Sequence, residues 1–176
     1  MKFGTLDFVD VGQHPELVTA TTNESVRRYD LLNVLVAKID ATLADTAAFC
    51  EAYEIGMDVS ANCVVVEAKR ADKTWYAACL VLATSRADIN GVVRRHLDAR
   101  KVSFAPMNTA TSLTKMEYGG ITPIGLPEDW LLIVDEAIIQ KERVIIGSGI
   151  RGSKLLVAGN IFAKLPQVSI LDIAKK

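Results

Sequence analysis

The residues best placed to do chemistry in this chain lie in two glycine-punctuated stretches. Met116 to Pro127 reads M-E-Y-G-G-I-T-P-I-G-L-P, and Gly147 to Gly152 reads G-S-G-I-R-G. Three glycines and two prolines fall within Gly119 to Pro127, with Ile121, Ile124 and Leu126 set between them. A disordered linker is poor in such aliphatic residues, so this is a built loop. Glycine permits positive φ and close approach of another molecule, while proline fixes φ and removes a donor. The expected product is a surface lined with main-chain N–H and C=O groups. Such a surface holds a small polar or phosphate-bearing group without charged side chains.

Other chemistries are poorly supported. Gly147 to Gly152 matches the letters G-x-G-x-x-G and follows a strand pattern, but Ser153-Lys-Leu-Leu-Val157 after it is again a strand pattern. No helix N-terminus is available there for a pyrophosphate, so a dinucleotide cofactor is not expected. A tight connection lining the same pocket as Gly119-Gly120 fits this context, and so does a plain hairpin turn. The chain has no G-x-S-x-G elbow and no H-E-x-x-H pair, and Asp135 and Glu136 are adjacent, which on a strand points them to opposite faces. His14 reads as a residue just ahead of a helix, and His96 as a surface residue. Cys50, Cys63 and Cys79 are odd in number, far apart and set among apolar residues. They read as buried thiols of a reducing cytoplasm, with no metal site expected. Catalysis, if present, would rest on backbone groups, positioned water and a lysine.

The elements that must carry these stretches are short and strand-rich. A helix is expected over His14 to Tyr29, a strand over Leu31 to Ile39, and a helix opened by a capping box at Thr42 to Asp45 and running to Tyr53. Cys63 to Ala68 and Trp75 to Ala83 read as a hairpin across Lys69 to Lys73. Asp88 should cap a helix to Leu97, whose Arg94 and Arg95, with Arg100, read as a solvated face before a phosphate site. Lys101 to Phe104 is a short strand, and a helix capped by Asn108 or Thr109 follows Pro106. Leu131 to Val134, Arg143 to Ile146, Lys154 to Val157 and Val168 to Ile173 are strands, with a helix from Gly159 to Leu165. Strands outnumber helices without alternating with them. This favours an α+β fold with a mixed, partly closed, barrel-like β-sheet and peripheral helices.

At 176 residues and a net charge of −1, one compact domain with a real core is expected, without a bulk nucleic-acid coat. A local basic face for one RNA end is compatible with that charge. No apolar run reaches the roughly 18–20 residues of a membrane span. Asp7 and Asp10 interrupt the first ten residues, so a secretory leader and a membrane partner are not expected.

The segment Gly119-Gly120-Ile-Thr-Pro123-Ile-Gly125, a strand, Gly149-Ile-Arg151-Gly152, then a strand and the helix after Gly159 resembles the YbaK and prolyl-tRNA synthetase-associated editing domain family. The helix-to-strand junction from Asp88 to Phe104 looks like that family too. The similarity runs from about Leu31 to the C-terminus, leaving residues 1–29 as an added helical element ahead of an editing domain at 30–176. The resemblance implies a free-standing deacylase that acts in trans on the acceptor end of mischarged tRNA, typically alanyl- or cysteinyl-tRNA of the proline type. It implies no cofactor or metal, and an aminoacyl-tRNA synthetase as a possible partner.

Carried over residue by residue, the resemblance points to main-chain groups of Gly119, Gly120 and Gly149 to Gly152 as the pocket, with Ile121, Thr122, Pro123, Gly125 and Ser148 around it. The lysine that many relatives carry at the start of one strand falls here on Asn62, or on Cys63 if the register slips by one. Asn62 is then expected to orient the ester or the water, with Cys63 beside it and less favoured as a nucleophile. Where relatives carry an acidic residue after Gly152, this chain has Lys154. Lys154 is therefore a candidate replacement cation, Lys115 the alternative donor, and Arg151 or Lys154 a contact for the terminal phosphate. The competing expectations are a lysine on the outer face of the sheet, and a binding module that lost hydrolysis with the family lysine.

Overall fold

The computed structural model describes residues 1–175. The strands are β1 (Lys2–Phe3), β2 (Leu6–Asp7), β3 (Val9–Asp10), β4 (Leu35–Lys38), β5 (Ala61–Arg70), β6 (Lys73–Leu82), β7 (Lys101–Phe104), β8 (Leu131–Asp135), β9 (Val144–Gly147), β10 (Ser153–Val157) and β11 (Val168–Leu171). The α-helices are α1 (Ala20–Arg28), α2 (Thr46–Ala52), α3 (Arg94–His96), α4 (Met107–Thr114) and α5 (Glu136–Ile139). A four-stranded sheet runs β3-β4-β10-β9 and a five-stranded sheet β11-β8-β6-β5-β7; β1 and β2 form a separate ribbon. A parallel bridge between Ser60 and Ile145 brings the start of β5 against β9. The expected α+β class, mixed β structure and peripheral helices are therefore present; among the described residues the two larger sheets meet at a seam without closing a barrel.

Strand alternation sorts the core into layers. On β6, Ala78, Leu80 and Leu82 face the layer between the sheets, where they meet Val36, Val134, Ile146 and Leu155. Their neighbours Ala77, Cys79 and Val81 face outward and pack under Val93 and Leu97. On the four-stranded sheet, Ala37, Ile145 and Leu156 point the other way, beneath Phe49 and Cys50 of α2. Both faces of each sheet are thus covered, which explains why β8, β9 and β10 read as continuous apolar runs.

Several expected boundaries move for local reasons. The single helix expected over His14 to Tyr29 is a 3-10 turn at Pro15–Leu17 followed by α1, because Thr19, in extended conformation, caps Thr22 N–H. The cap of α2 is Asp45, whose Oδ1 accepts from Ala47 and Ala48 N–H; the capping-box position Thr42 lies in a 3-10 turn that Asp40 caps. Asp88 caps as expected, but Ile89–Val93 is a wide π turn leading into α3. Helix α4 begins directly after Pro106, with no side-chain cap from Asn108 or Thr109. The short α5 was not foreseen, and the helix expected at Gly159 is a 3-10 helix, Gly159–Lys164.

Residues 1–29 are woven into the same body. β3 pairs with β4 through Val9–Val36 and Asp10–Leu35. The buried Thr22 hydroxyl donates to Ile124 O at 3.0 Å. Among the described residues no helix is long and apolar enough to cross a membrane.

Asp135 ends β8 and is only 3% exposed. Its carboxylate accepts from Ala137 N–H, Ile173 N–H and Ala174 N–H, each at 3.0 Å, and so ties the C-terminal segment to the five-stranded sheet. Asp135→Ala would orphan three N–H groups, two of which anchor that segment. The expected cost is about 3 kcal/mol, seen as a melting temperature lower by roughly 6–12 °C, with faster amide exchange at Ile173 and Ala174.

Candidate functional site

The seam between the sheets opens into a cleft of about 500 Å³. Ala61 to Val65 of β5 form one wall; Gly147 and Lys154 enter from the four-stranded sheet, Ala44 to Thr46 from the start of α2, and Tyr118, Gly119 and Ile121 from the glycine loop. Phe104, Ala105, Met107 and Ala110 complete it.

Lys154 is the decisive side chain. It pairs with Ala37 and Gly147 and shares its strand face with Leu156, so alternation turns it beneath α2 rather than outward to solvent. The residue is 7% exposed, and Nζ lies 5.2 Å from the Phe49 ring centroid and donates to Ala44 O at 3.0 Å. An ammonium has three donors, so this carbonyl leaves two for another molecule. Burial pulls its pKa below the ordinary lysine value, Arg151 adds to that, and Cys50 and Asp45 partly oppose it. Across the cleft, Asn62 Oδ1 accepts from Thr46 Oγ1 at 2.6 Å, which fixes the amide on the β5 wall. Cys63 also borders the cleft, but its thiol is driven strongly upward by desolvation, with Cys79 adding to the effect. It stays protonated, a poor state for a nucleophile.

The two glycine bends fold directly against each other. Gly149 N–H donates to Gly120 O at 2.7 Å and Glu117 N–H to Gly149 O at 2.8 Å, while Gly120 N–H closes its own turn on Glu117 O at 3.0 Å. The approach requires glycine: a Cβ on Gly120 would lie 2.5 Å from Ile150 O, and one on Gly147 would lie 2.5 Å from both Gly120 O and Ile121 O. The expectation that both bends present unpaired dipoles is therefore corrected at Gly120 and Gly149, whose N–H groups are occupied. Among the described residues, Gly119 and Ile121 N–H donate to no protein acceptor, and both residues border the cleft.

Of the residues singled out from sequence, the cleft gathers Asn62, Cys63, Gly119, Ile121 and Lys154. Gly120 lies just behind its wall. The Thr122 hydroxyl is buried and accepts from Ile124 N–H. Pro123 borders a separate small hollow beside Trp130, and Gly125, with φ of +100°, packs its backbone against Thr21 and Thr22 of α1. Lys115, in left-handed conformation at the end of α4, borders a different hollow with Arg28 and Glu128, which removes it as the alternative cation here. Ser148 is buried and caps its own bend, and Gly149 packs on Thr19. Arg151 holds the loop from outside: Nη1 donates to Tyr118 O at 3.0 Å and Nη2 to Ala41 O at 3.1 Å. Beside it, Gly152 has no side chain to offer, and its carbonyl accepts from Ile39 N–H.

Sequence reasoning missed Ala44, Asp45, Thr46, Phe104, Met107 and Tyr118. Only the capping pattern near Asp45 signalled the α2 wall, and nothing in the spacing links Thr46 to Asn62. His14 and His96 are both away from the cleft, contacting Glu16 and Ser169.

Gly147→Ala must push the bends apart, because its Cβ meets backbone rather than a yielding side chain. A loss of about 2 kcal/mol is expected, read as a lower urea midpoint with unchanged slope. Gly152→Ala is the control: its Cβ has nothing within 4 Å, so stability should change by no more than about 0.5 kcal/mol.

Comparison with known proteins agrees with this fold. A structure described as that of a proposed trans-editing enzyme for prolyl-tRNA synthetase superposes with a TM-score of 0.75 at 14% identity, covering 90% of this chain and 99% of that one. A hypothetical protein superposes with a TM-score of 0.77 at 17% identity, covering 88% and 99%. At these identities the likeness is one of fold. The model of the aminoacyl-tRNA editing domain matches residues 40–165, which hold every residue named above as lining the cleft. By that match, the chain belongs to the aminoacyl-tRNA editing domain family.

Proposed function

We propose that this chain hydrolyses the ester of mischarged aminoacyl-tRNA in trans, with Lys154 supplying the cation that relatives carry on the strand occupied here by Asn62. The observation that carries the reading is a buried lysine, with two ammonium protons uncommitted, in the same cleft as Asn62 and the free N–H groups of Gly119 and Ile121. An ester is already activated, so positioning and electrostatics suffice. Water attacks the carbonyl carbon, and the developing oxyanion is met by Lys154 and the loop N–H groups. Asn62 orients the ester or the water. The carbon–oxygen bond to the ribose then breaks, the ribose oxygen takes up the proton that water gives, and the free amino acid leaves.

Small side chains recur in the lining, at Ala61, Val65, Ala105, Ala110 and Gly147. Walls of that size suit a small acyl group, of the alanyl or cysteinyl kind on a tRNA of the proline type. Such a pocket sieves by size, since binding alone separates one methylene by only about 1–3 kcal/mol. Arg151 stands beside the loop and is a secondary contact for phosphate.

Deacylation of a panel of mischarged tRNAs is the test. Lys154→Ala should lower kcat by roughly 10²–10³, and Asn62→Ala should lower it less. Undiminished turnover in Lys154→Ala overturns the role given to Lys154. Binding of tRNA with no turnover by the unaltered chain makes it a binding module instead.

The depressed pKa of Lys154 adds a signed pH dependence. Activity needs the ammonium, so its alkaline limb should fall below the ordinary lysine range near pH 10.4, and Lys154→Arg should move that limb upward. For stability, the unfolded chain holds this proton more tightly than the folded one. The native form is therefore penalised at neutral pH, and the penalty fades as pH rises from the folded pKa toward the unfolded one. Lys154→Met should raise the melting temperature at pH 7 by about 2–4 °C, shrink that gain toward pH 10, and lower turnover as Lys154→Ala does.

A further inference from the structure

The chain has eleven aromatic side chains, counting two Trp, four Tyr and five Phe. Among the described residues only two of them are exposed, Phe104 at 63% and Tyr118 at 59%, and both border the cleft, together with Met107 at 52%. The other aromatics pack into the core or are half-covered, as Tyr76 and Trp130 are in their stacked pair. Large apolar rings left in water at one place, around one opening, mark a contact surface.

Each ring sits on a fixed base. Phe104 closes the edge strand β7, paired with Val66, whose side chain is fully buried. Tyr118 rides on the turn that Gly120 N–H closes on Glu117 O, and its carbonyl is held by Arg151. An aromatic ring on a held backbone suits a flat partner, because its two χ angles leave little side-chain entropy to be lost on stacking.

Charge narrows the partner further. Among the described residues that line the cleft, Lys154 is the single basic one and is buried, and Arg151 nearby is tied to the loop, so the lining offers few charges for neutralising phosphates. Every nucleobase has a π face, and base–aromatic stacking binds single strands with little help from charge. We infer that Phe104 and Tyr118 form a stacking platform for the terminal base of the single-stranded RNA end whose ester enters the cleft. The inference rests on the deacylase reading and names the part of the substrate that lies outside the acyl pocket.

The test binds the full chain to a cytidine-cytidine-adenosine RNA trinucleotide and to the same trinucleotide with an abasic 3′ residue. The intact trinucleotide should bind about ten-fold tighter than the abasic one. Phe104→Ala and Tyr118→Ala should each weaken it by roughly ten-fold, whereas Phe104→Tyr and Tyr118→Phe should retain it. The slope of log affinity against log salt should be no steeper than about −1.5, corresponding to two phosphates. In deacylation of charged tRNA, the double alanine variant should raise KM about ten-fold while changing kcat far less.

Equal binding of the abasic probe, or alanine variants that bind and turn over as the unaltered chain does, overturns the platform and assigns the rings to a protein partner. The two readings fail separately. Base-dependent binding without hydrolysis of any charged tRNA removes the deacylase and leaves the platform. Hydrolysis with KM unchanged in the double variant removes the platform and leaves the deacylase.

Discussion

The contact on which the rest depends is the hydrogen bond from Gly149 to the Gly120 carbonyl, with its return bond from Glu117 to Gly149. It joins two loops that leave different parts of the fold, one following α4 and one linking β9 to β10. Both bends are depleted of side chains, so they come within main-chain distance, and Gly147 lies under the Gly120 and Ile121 carbonyls with no room for a Cβ. The bends act as a hinge pin for the seam rather than as the oxyanion cradle itself. What they leave free is the flank of the first bend, at Gly119 and Ile121, facing a wall that the second bend supplies only through Gly147 and Lys154.

Placing a cation at that wall is costly. The Lys154 ammonium keeps one carbonyl partner and an aromatic face, and among the described residues it has no carboxylate within ion-pair distance. An uncompensated buried charge lowers stability, and a fold that carries one at a cleft trades stability for electrostatics. The same desolvation acts with opposite effect on Cys63, where it favours the neutral thiol. Within one cleft, burial therefore weakens the grip on the lysine proton and tightens the grip on the cysteine proton. The cation becomes a responsive group and the thiol an inert one.

Much of this was legible in the sequence because it is local. The β5–β6 hairpin, the Asp88 cap and the apolar strands follow from alternation and capping chemistry. Composition marked the two glycine bends as shaped loops and left a plain hairpin turn equally open; what brings them together is the backbone approach at Gly120 and Gly147. The direction of Lys154 was not, because a residue at a strand end can face either side until the register with β4 and β9 is set. Thr46 and Asn62 meet only because α2 docks over the seam, and no periodicity encodes that. The strands within residues 1–29 were not expected for a related reason: β1, β2 and β3 are two residues long, too short for any pattern to mark.

That N-terminal weave bears on how the protein is made. Thr22 is bonded to Ile124, 102 residues away, and the Ser153 hydroxyl to the Leu17 carbonyl, 136 residues away. Earlier segments must wait for segments synthesised more than a hundred residues later, and such distant closures slow the search for the native topology. On the ribosome, the seam can be completed only after β10 has emerged. The nascent chain would therefore carry an unfinished sheet edge at β4 through most of its translation.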